Sequence, residues 1–192
     1  MPRNIEIKAR IDSVEALLPR VQAVAGATPE RLEQDDSFFT VPQGRLKLRE
    51  FADGSAELIH YQRADGGAAK ASDYVRVAVP EPTALREALT RACGLLGRVR
   101  KQRLLLIAHQ GAYSTRIHLD RVEGLGDFME LEVVLAEGQS DDAGRAVAEA
   151  LMGELGLQDA ERIAGAYMDL LLASFGGCAG ASTGGRAWAR KS

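Results

Sequence analysis

The sequence is poor in the features that mark several common protein classes. It has two cysteines in 192 residues, Cys93 and Cys178, and their separation fits neither a disulfide framework nor a zinc site. It contains no run of about 18 apolar residues, so no segment is predicted to span a membrane. Positive charge is not in excess, because 24 Lys and Arg residues face 27 Asp and Glu residues. This balance argues against a general nucleic-acid-binding protein.

The composition is otherwise that of one globular domain. With 46% hydrophobic residues, the chain can bury a proper core. The first residues run directly into a strand-like pattern, which leaves no room for a signal peptide, and we expect a cytoplasmic protein with reduced thiols. Residues 174–192 are rich in Gly, Ala and Ser and are predicted to form a flexible tail, so the domain is expected to cover residues 1–173.

The most informative pattern in the sequence is charge at every second position. Residues 6–10 read Glu-Ile-Lys-Ala-Arg, residues 45–49 read Arg-Leu-Lys-Leu-Arg, and residues 130–134 read Glu-Leu-Glu-Val-Val. A β-strand sends successive side chains to opposite faces, so each segment carries one apolar face and one charged face. If the charged faces converge, they form a site for a polyanion and its metal ion.

Hydrophobic periodicity and turn residues predict eight strands and four helices. The strands are predicted at 4–11, 34–41, 45–51, 56–63, 74–79, 99–108, 115–122 and 128–135, and the helices at 13–25, 83–93, 140–156 and 159–173. The strands follow one another mostly as hairpins. This order indicates an α+β fold, an eight-stranded antiparallel β-barrel with helices packed outside it. Such a barrel has to be wide and hydrated if its interior is charged, since bare buried charges are too costly.

Strand parity sorts the charged side chains into one set. Its cations are Lys8, Arg10, Lys47, Arg49, Arg63, Lys101, Arg103 and Arg116, and its acids are Glu6, Asp120, Glu130 and Glu132. Arg and Lys suit phosphate oxygens, and a carboxylate cluster beside them suits Mg²⁺ or Mn²⁺. The alternative is that these faces are solvated outer surfaces of a sandwich. His118 shares the face of Arg116, and both a packing role and a role in the site stay open for it.

The order of these motifs resembles that of a known family. Residues 4–10, with Glu6 and Lys8, resemble the E-x-E-x-K signature of the CYTH proteins, also called triphosphate tunnel metalloenzymes. That family includes class IV adenylyl cyclases and thiamine triphosphatases. The likeness continues through residues 44–50, 72–74, 100–103, 119–120, 124–132 and 165–171. One position departs from the signature, because Asn4 stands in place of its first glutamate.

The resemblance implies a tunnel that binds a triphosphate together with Mg²⁺ or Mn²⁺. It implies that Lys8, Glu130 and Glu132 are catalytic and that the eight cations of the parity set bind the triphosphate. The metal ligands implied are Glu6, Asp120, Glu130 and Glu132. Tyr167 matches a C-terminal tyrosine of the family, which keeps a substrate role open beside a packing role.

Three functions are compatible with these residues. A hydrolase directs water at the terminal phosphorus, whereas a class IV-type adenylyl cyclase directs a nucleoside 3'-hydroxyl at the α-phosphorus, and a polyphosphate- or nucleotide-binding protein does neither. No segment reads as an adenine pocket, so we predict a Mg²⁺- or Mn²⁺-dependent triphosphatase and keep the other two as alternatives. The expected partner is a triphosphate-containing small molecule, with neither nucleic acid nor membrane, and the chain is expected to be a monomer or a homodimer.

Overall fold

Eight antiparallel strands and four helices make up the described residues, 3–63 and 70–176, of the protein's computed structural model. The strands are β1 (Arg3–Arg10), β2 (Glu30–Phe39), β3 (Arg45–Phe51), β4 (Ala56–Arg63), β5 (Lys70–Ala78), β6 (Leu95–Gln110), β7 (Tyr113–Val122) and β8 (Gly126–Leu135). The helices are α1 (Val14–Ala25), α2 (Pro82–Cys93), α3 (Asp141–Glu154) and α4 (Tyr167–Gly176). The strands pair in the order β1-β5-β4-β3-β2-β6-β7-β8, and β8 pairs with β1 to close a barrel. The predicted fold class is confirmed.

The apolar faces of the strands form the core, which lies outside the barrel. Ile7, Ile117 and Leu131 are buried on the outward side of β1, β7 and β8, where they pack in one cluster with residues of α1 and α3. On another side of the barrel, Leu85 of α2 packs against a smaller cluster that contains Leu48. Burial of these faces under helices drives the alternate, charged positions of the same strands toward the barrel interior.

Local sequence signals set the ends of the helices. The Ser13 and Ser140 hydroxyls accept hydrogen bonds from the backbone N–H groups three residues later and so cap α1 and α3. Gly156 takes the left-handed conformation expected of a helix C-terminus, with φ of 69°. Within residues 3–63 and 70–176, no helix is both long enough and apolar enough to cross a membrane.

The last helix begins later than predicted. A helix was expected over residues 159–173, but α4 starts at Tyr167, and the residues before it pair with β1. The Arg10 N–H donates to the carbonyl of Glu161, and the Ile163 N–H donates to the carbonyl of Lys8, both at 2.9 Å. β5 pairs only with the first half of β1, residues 3–6, so residues 161–163 bond the backbone groups that this edge of β1 leaves over.

This pairing places α4 across one end of the barrel. Inward-facing apolar residues at that end form a buried cluster with residues of the α4 region: Phe38, Val99, Val122 and Phe128 from the strands, with Ile163, Tyr167, Met168 and Leu171. Among the described residues, the barrel interior is therefore covered at the α4 end. Of the predicted tail, residues 174–176 belong to α4, and residues 177–192 lie outside the described part of the chain.

Candidate functional site

The inward faces of the strands surround a cavity of about 360 Å³. Its described wall carries seven cations, Lys8, Lys47, Arg49, Arg76, Lys101, Arg103 and Arg116, and five carboxylates, Glu6, Asp36, Glu57, Glu130 and Glu132. The charged faces of β1, β3, β6, β7 and β8 thus meet in one place, as strand parity predicts. Solvated outer surfaces of a sandwich do not describe this arrangement.

Arg10 lies outside the cavity, although its parity is that of Lys8. Its guanidinium donates to the Leu125 carbonyl at 2.9 Å and to the Glu161 carboxylate at 3.2 Å, and it covers one side of the Phe128 ring. The side chain is the last of β1 and is 42% exposed. It stabilises the segment that leads to α4. The side chain of Arg63, also predicted to bind phosphate, lies outside the described part of the structure.

Asp120 is fully buried and does not line the cavity. Its carboxylate accepts two hydrogen bonds from Arg103, at 2.7 and 2.6 Å, and a third from the Tyr167 hydroxyl at 2.9 Å. Lys101 lies 3.5 Å away. Burial acts to raise the pKa of Asp120, but Arg103 and Lys101 outweigh it and hold the pKa below its usual range. Sequence reasoning predicts this carboxylate to be a metal ligand, whereas its contacts fix Arg103 in place.

Four cations form what we call the cationic wall: Lys47 and Arg49 on β3, and Lys101 and Arg103 on β6. Asp36 of β2, between these strands, is 2% exposed and accepts hydrogen bonds from Arg49, two at 2.7 Å, and from Lys47 at 2.8 Å. Burial acts to raise the pKa of Asp36, but Arg49 and Lys47 hold it well below its usual range. Sequence reasoning missed Asp36. This residue holds the cations of β3 in place, as Asp120 holds those of β6.

The two lysines of the cationic wall are only weakly basic. Burial, followed by the charge of Arg49, lowers the pKa of Lys47 to about 8, against the opposing effect of Asp36. Burial, followed by the charge of Arg103, lowers the pKa of Lys101 to about 7. A polyanion between these side chains would favour their charged forms.

Three carboxylates form what we call the acidic wall: Glu6 on β1, with Glu130 and Glu132 on β8. Glu6 is directly opposite Glu132 in the strand register. Glu130 contacts Lys8 at 3.3 Å and Arg103 at 2.9 Å, and Glu132 contacts Arg116 at 3.3 Å. Burial acts to raise the pKa of Glu130, but Lys8 and other neighbouring cationic or hydrogen-bonding groups hold it well below its usual range.

The residues of the acidic wall fit a divalent cation. One ligand atom each from His118, Glu130 and Glu132 lie within 4.8 Å of one another. The buried Oδ1 atom of Asn4, on the same cavity, has no hydrogen-bond partner among the described residues. Carboxylate and amide oxygens are ligands that Mg²⁺ and Mn²⁺ accept, and imidazole is a common ligand to first-row transition ions, the series that includes Mn²⁺. The acidic wall can therefore hold such an ion, and Glu6 faces the same space.

Lys8 is held where the two walls meet the start of α4. Its ammonium lies 4.0 Å from the centroid of the Tyr167 ring and 3.5 Å from the Gly165 carbonyl oxygen. Burial, reinforced by the negative charge of Asp120, raises the pKa of Tyr167 well above its ordinary value, so this hydroxyl stays protonated as a donor. Tyr167 packs on Phe128 and also lines the cavity, so its packing role is observed and its substrate role stays a prediction.

Solved structures share this fold. PH1012 protein from Pyrococcus horikoshii OT3 is 23% identical, with a TM-score of 0.74 over 87% of this chain and 98% of that one. A candidate adenylate cyclase from Vibrio parahaemolyticus is 20% identical, with a TM-score of 0.64 over 88% and 97%. HpAC1 from Hippeastrum is 14% identical, with a TM-score of 0.60 over 82% and 89%. These likenesses establish the fold.

Comparison with sequences gives the family. No curated protein matches the chain. The CYTH domain, as a family, matches residues 2–167, which include every strand and the start of α4. The resemblance inferred from the motifs is thereby confirmed, and the chain belongs to the CYTH domain family.

Proposed function

We propose that this protein hydrolyses an organic or inorganic triphosphate with the help of Mg²⁺ or Mn²⁺. The observation that carries the proposal is the pair of walls, in which four cations and a cluster of carboxylates line one cavity. A surface that binds anions alone has no use for the carboxylates. A site for a phosphate chain and its metal ion needs both.

The cationic wall is suited to hold the phosphate chain. Arg49 and Arg103 present guanidinium groups whose orientation is fixed by two hydrogen bonds each, to Asp36 and Asp120. Fixed donors cost no reorganisation when a phosphate arrives, which favours tight and specific binding. Arg116, farther along β7 from the α4 end, would contact the part of the substrate nearest the open end.

The acidic wall is suited to hold the metal ion. Seven cations against five carboxylates leave the cavity wall with only a small excess of positive charge. This excess is too small to neutralise the negative charge of a triphosphate. A divalent cation bound by Glu130 and Glu132, with Glu6 beside them, would offset the remaining charge and polarise the phosphorus under attack. Lys8, held by Glu130 and the Tyr167 ring, would neutralise charge that develops on the leaving phosphate oxygen.

Hydrolysis is placed before cyclisation because no segment of the sequence reads as an adenine pocket. Beside its charged residues, the cavity is lined by apolar side chains, among them Leu32 and Leu105, and by polar ones, among them Gln34 and Tyr61. HpAC1, which shares the fold, has a dominant triphosphatase activity. An adenylyl cyclase reaction remains the second candidate, since the same two walls would serve it.

The test is to incubate the purified protein with tripolyphosphate, thiamine triphosphate or ATP, each with Mg²⁺ or Mn²⁺. Release of phosphate from at least one compound is the expected result. Formation of cyclic AMP from ATP would show that the protein is an adenylyl cyclase and not a triphosphatase. Binding of all three compounds without any product would leave a binding protein and overturn the proposal.

Two arginines provide a matched pair for this assay. Arg49 inside the barrel and Arg98 outside it each donate two hydrogen bonds to neighbouring aspartates of β2, Asp36 and Asp35. Arg49→Gln is expected to raise the KM for the hydrolysed compound about tenfold or more, in line with loss of a charged hydrogen bond. Arg98→Gln should leave KM unchanged. Equal kinetics for the two variants would place the substrate outside the cavity.

A further inference from the structure

His118 occupies a place in the site that the family signature does not explain. It lies on β7 directly opposite Glu130 of β8 and is 3% exposed. Its Nδ1 atom is 3.4 Å from an oxygen of Glu130 and 3.7 Å from an oxygen of Glu132. A nitrogen ligand therefore stands between the two carboxylates of the acidic wall that best fit a metal ion.

Asn4 is a second, separate observation on the same cavity. The side chain is 5% exposed and lies two residues before Glu6 on the same face of β1, and its Oδ1 atom has no partner among the described residues. A buried amide oxygen without a partner is costly, and its usual partners are donors or cations. Asn4 also means that this chain has lost one anionic oxygen ligand relative to the E-x-E-x-K signature.

His118 is one of several groups that contact these carboxylates. Its Nδ1 atom lies within hydrogen-bonding distance of Glu130, at 3.4 Å, while Glu130 also contacts Lys8 and Arg103, and Glu132 contacts Arg116. The two carboxylates therefore keep cationic partners if the imidazole binds a metal ion, and imidazole is a good ligand to a first-row transition ion.

We infer that His118 is a nitrogen ligand to the divalent cation of this site, and that the site consequently prefers Mn²⁺ to Mg²⁺. The inference rests on the proposed function for the presence of a metal ion. Mg²⁺ takes nearly all its ligands from oxygen, whereas Mn²⁺, although it also favours oxygen, is a first-row transition ion and binds a nitrogen ligand more readily than Mg²⁺ does. Position 4 offers a neutral oxygen in place of an anionic one, and position 118 offers a nitrogen. Both changes make the ligand set less like the anionic oxygen ligands that Mg²⁺ prefers.

The test is electron spin echo spectroscopy of Mn²⁺ bound to the protein, which detects nitrogen nuclei bonded to the ion. The full chain is loaded with Mn²⁺ alone and, separately, with Mn²⁺ and tripolyphosphate. The chain contains three histidines, at positions 60, 109 and 118. Growth on ¹⁵N-histidine changes the nitrogen signal only if a histidine is bound, so the assignment does not depend on a variant that folds.

A matched pair of variants then identifies the histidine. His118→Gln should remove the nitrogen signal, and His109→Gln, at an exposed position of β6, should keep it. Calorimetric titration with Mn²⁺ and with Mg²⁺ should show that His118→Gln lowers the preference for Mn²⁺ about tenfold or more, as even the loss of a residue that only supports a ligand costs at least that.

The possible outcomes separate this inference from the proposed function. Mn²⁺ bound at the site without any histidine signal overturns ligation by His118, while phosphate release from a triphosphate can still be observed. A histidine-coupled Mn²⁺ ion in a protein that hydrolyses none of the triphosphates supports the ligand and overturns the hydrolase. Absence of Mn²⁺ binding, with and without tripolyphosphate, overturns ligation by His118, and absence of binding of both Mn²⁺ and Mg²⁺ overturns the metal-dependent hydrolase as well.

Discussion

Asp36 on the cationic wall and Glu132 on the acidic wall are both carboxylates inside the barrel, but cations approach them differently. Asp36 accepts three hydrogen bonds of 2.7 to 2.8 Å from Lys47 and Arg49. The contacts of Glu132 among the described residues are longer, 3.3 Å to Arg116 and 3.7 Å to His118. Charged hydrogen bonds of good geometry are about 2.7–2.9 Å long, so only Asp36 is held tightly.

This difference separates carboxylates that orient cationic side chains from carboxylates that can bind a metal ion. A carboxylate whose oxygens are already bonded to Arg and Lys has no lone pair to offer at low cost, and it instead fixes the direction of those side chains. A loosely paired carboxylate can exchange its partner for a metal ion. The identity of the residue does not decide between these roles, but the distances to its neighbours do.

The largest expected effect is on stability, from Asp36→Asn. The amide leaves Lys47 and Arg49 buried without their counter-charge, which should cost about 3–5 kcal/mol in the free energy of unfolding. Urea or thermal unfolding measures the loss. Tripolyphosphate should recover more stability in the variant than in the wild type, because phosphate oxygens would replace the missing carboxylate.

Asp35→Asn is the control for this change. Asp35 is the preceding residue of β2 and also pairs with two arginines, Arg98 and Arg100, but on the exposed outer face. Exposed pairs contribute little, so this variant should unfold like the wild type. Equal losses in both variants would show that burial inside the barrel does not distinguish the two aspartates.

The next effect is on turnover, from Glu132→Gln. The amide removes a charged metal ligand with little change in volume, and kcat should fall about a hundredfold or more, or about 3 kcal/mol of transition-state stabilisation. Calorimetric titration with tripolyphosphate in the absence of metal should show nearly unchanged binding, since the cationic wall is intact. Glu57→Gln, another carboxylate of the cavity that contacts Arg76 at 3.7 Å, should keep most of the activity. Full activity of Glu132→Gln at limiting metal would remove this residue from the metal ligands.

A smaller effect is expected from Asn4→Glu. The restored carboxylate should lower the concentration of Mg²⁺ or Mn²⁺ at half-maximal activity about tenfold, equivalent to about 1.4 kcal/mol. Asn4→Gln, which has the same length without the charge, is the control for shape. A metal titration at fixed substrate distinguishes this result from repulsion of the triphosphate, which would raise KM instead. An unchanged midpoint would place position 4 outside the reach of the metal.

The smallest effect is a pH dependence of triphosphate binding. In the unliganded protein, the pKa values of Lys101 and Lys47 are about 7 and about 8. A bound triphosphate favours the protonated lysines and raises these pKa values, so binding takes up protons above neutral pH. Affinity is therefore greatest below pH 7 and should fall about threefold to tenfold as the pH rises through the unliganded pKa values. Lys101→Arg, which stays charged, should flatten the profile measured with the same ligand. A profile of identical slope in the variant would contradict a role for Lys101.

The sequence predicts the barrel and most of its inner surface because strands of this fold alternate strictly. It fails at Asp36, since the pairs Asp35-Asp36 and Phe38-Phe39 place the same residue type on both faces of the strand and hide the period of two. Parity also cannot show that Asp120 is bonded to Arg103 and buried behind the residues that line the cavity. That distinction depends on distances between side chains of different strands.

The start of α4 could not be predicted for a related reason. Residues 159–166 have a helical pattern, but their backbone bonds the edge of β1, more than 150 residues earlier in the chain. Helix propensity is a weak preference, and the hydrogen-bonding groups of a strand edge outweigh it. The same pairing brings Gly165 and Tyr167 to Lys8, so this misplaced boundary lies next to the site.

The α4 end of the barrel has a consequence for which substrates can react. Phe38, Val99 and Phe128 pack beneath Tyr167 and Met168, so the described barrel is closed at this end. Under the proposed function, a long polyphosphate could not be threaded through it. Only a chain terminus could reach Lys8, cleavage would proceed from the end inward, and the departing phosphate would have to leave by the mouth through which the substrate came. The time needed to hydrolyse one molecule completely should therefore be shorter for a short chain than for a long one.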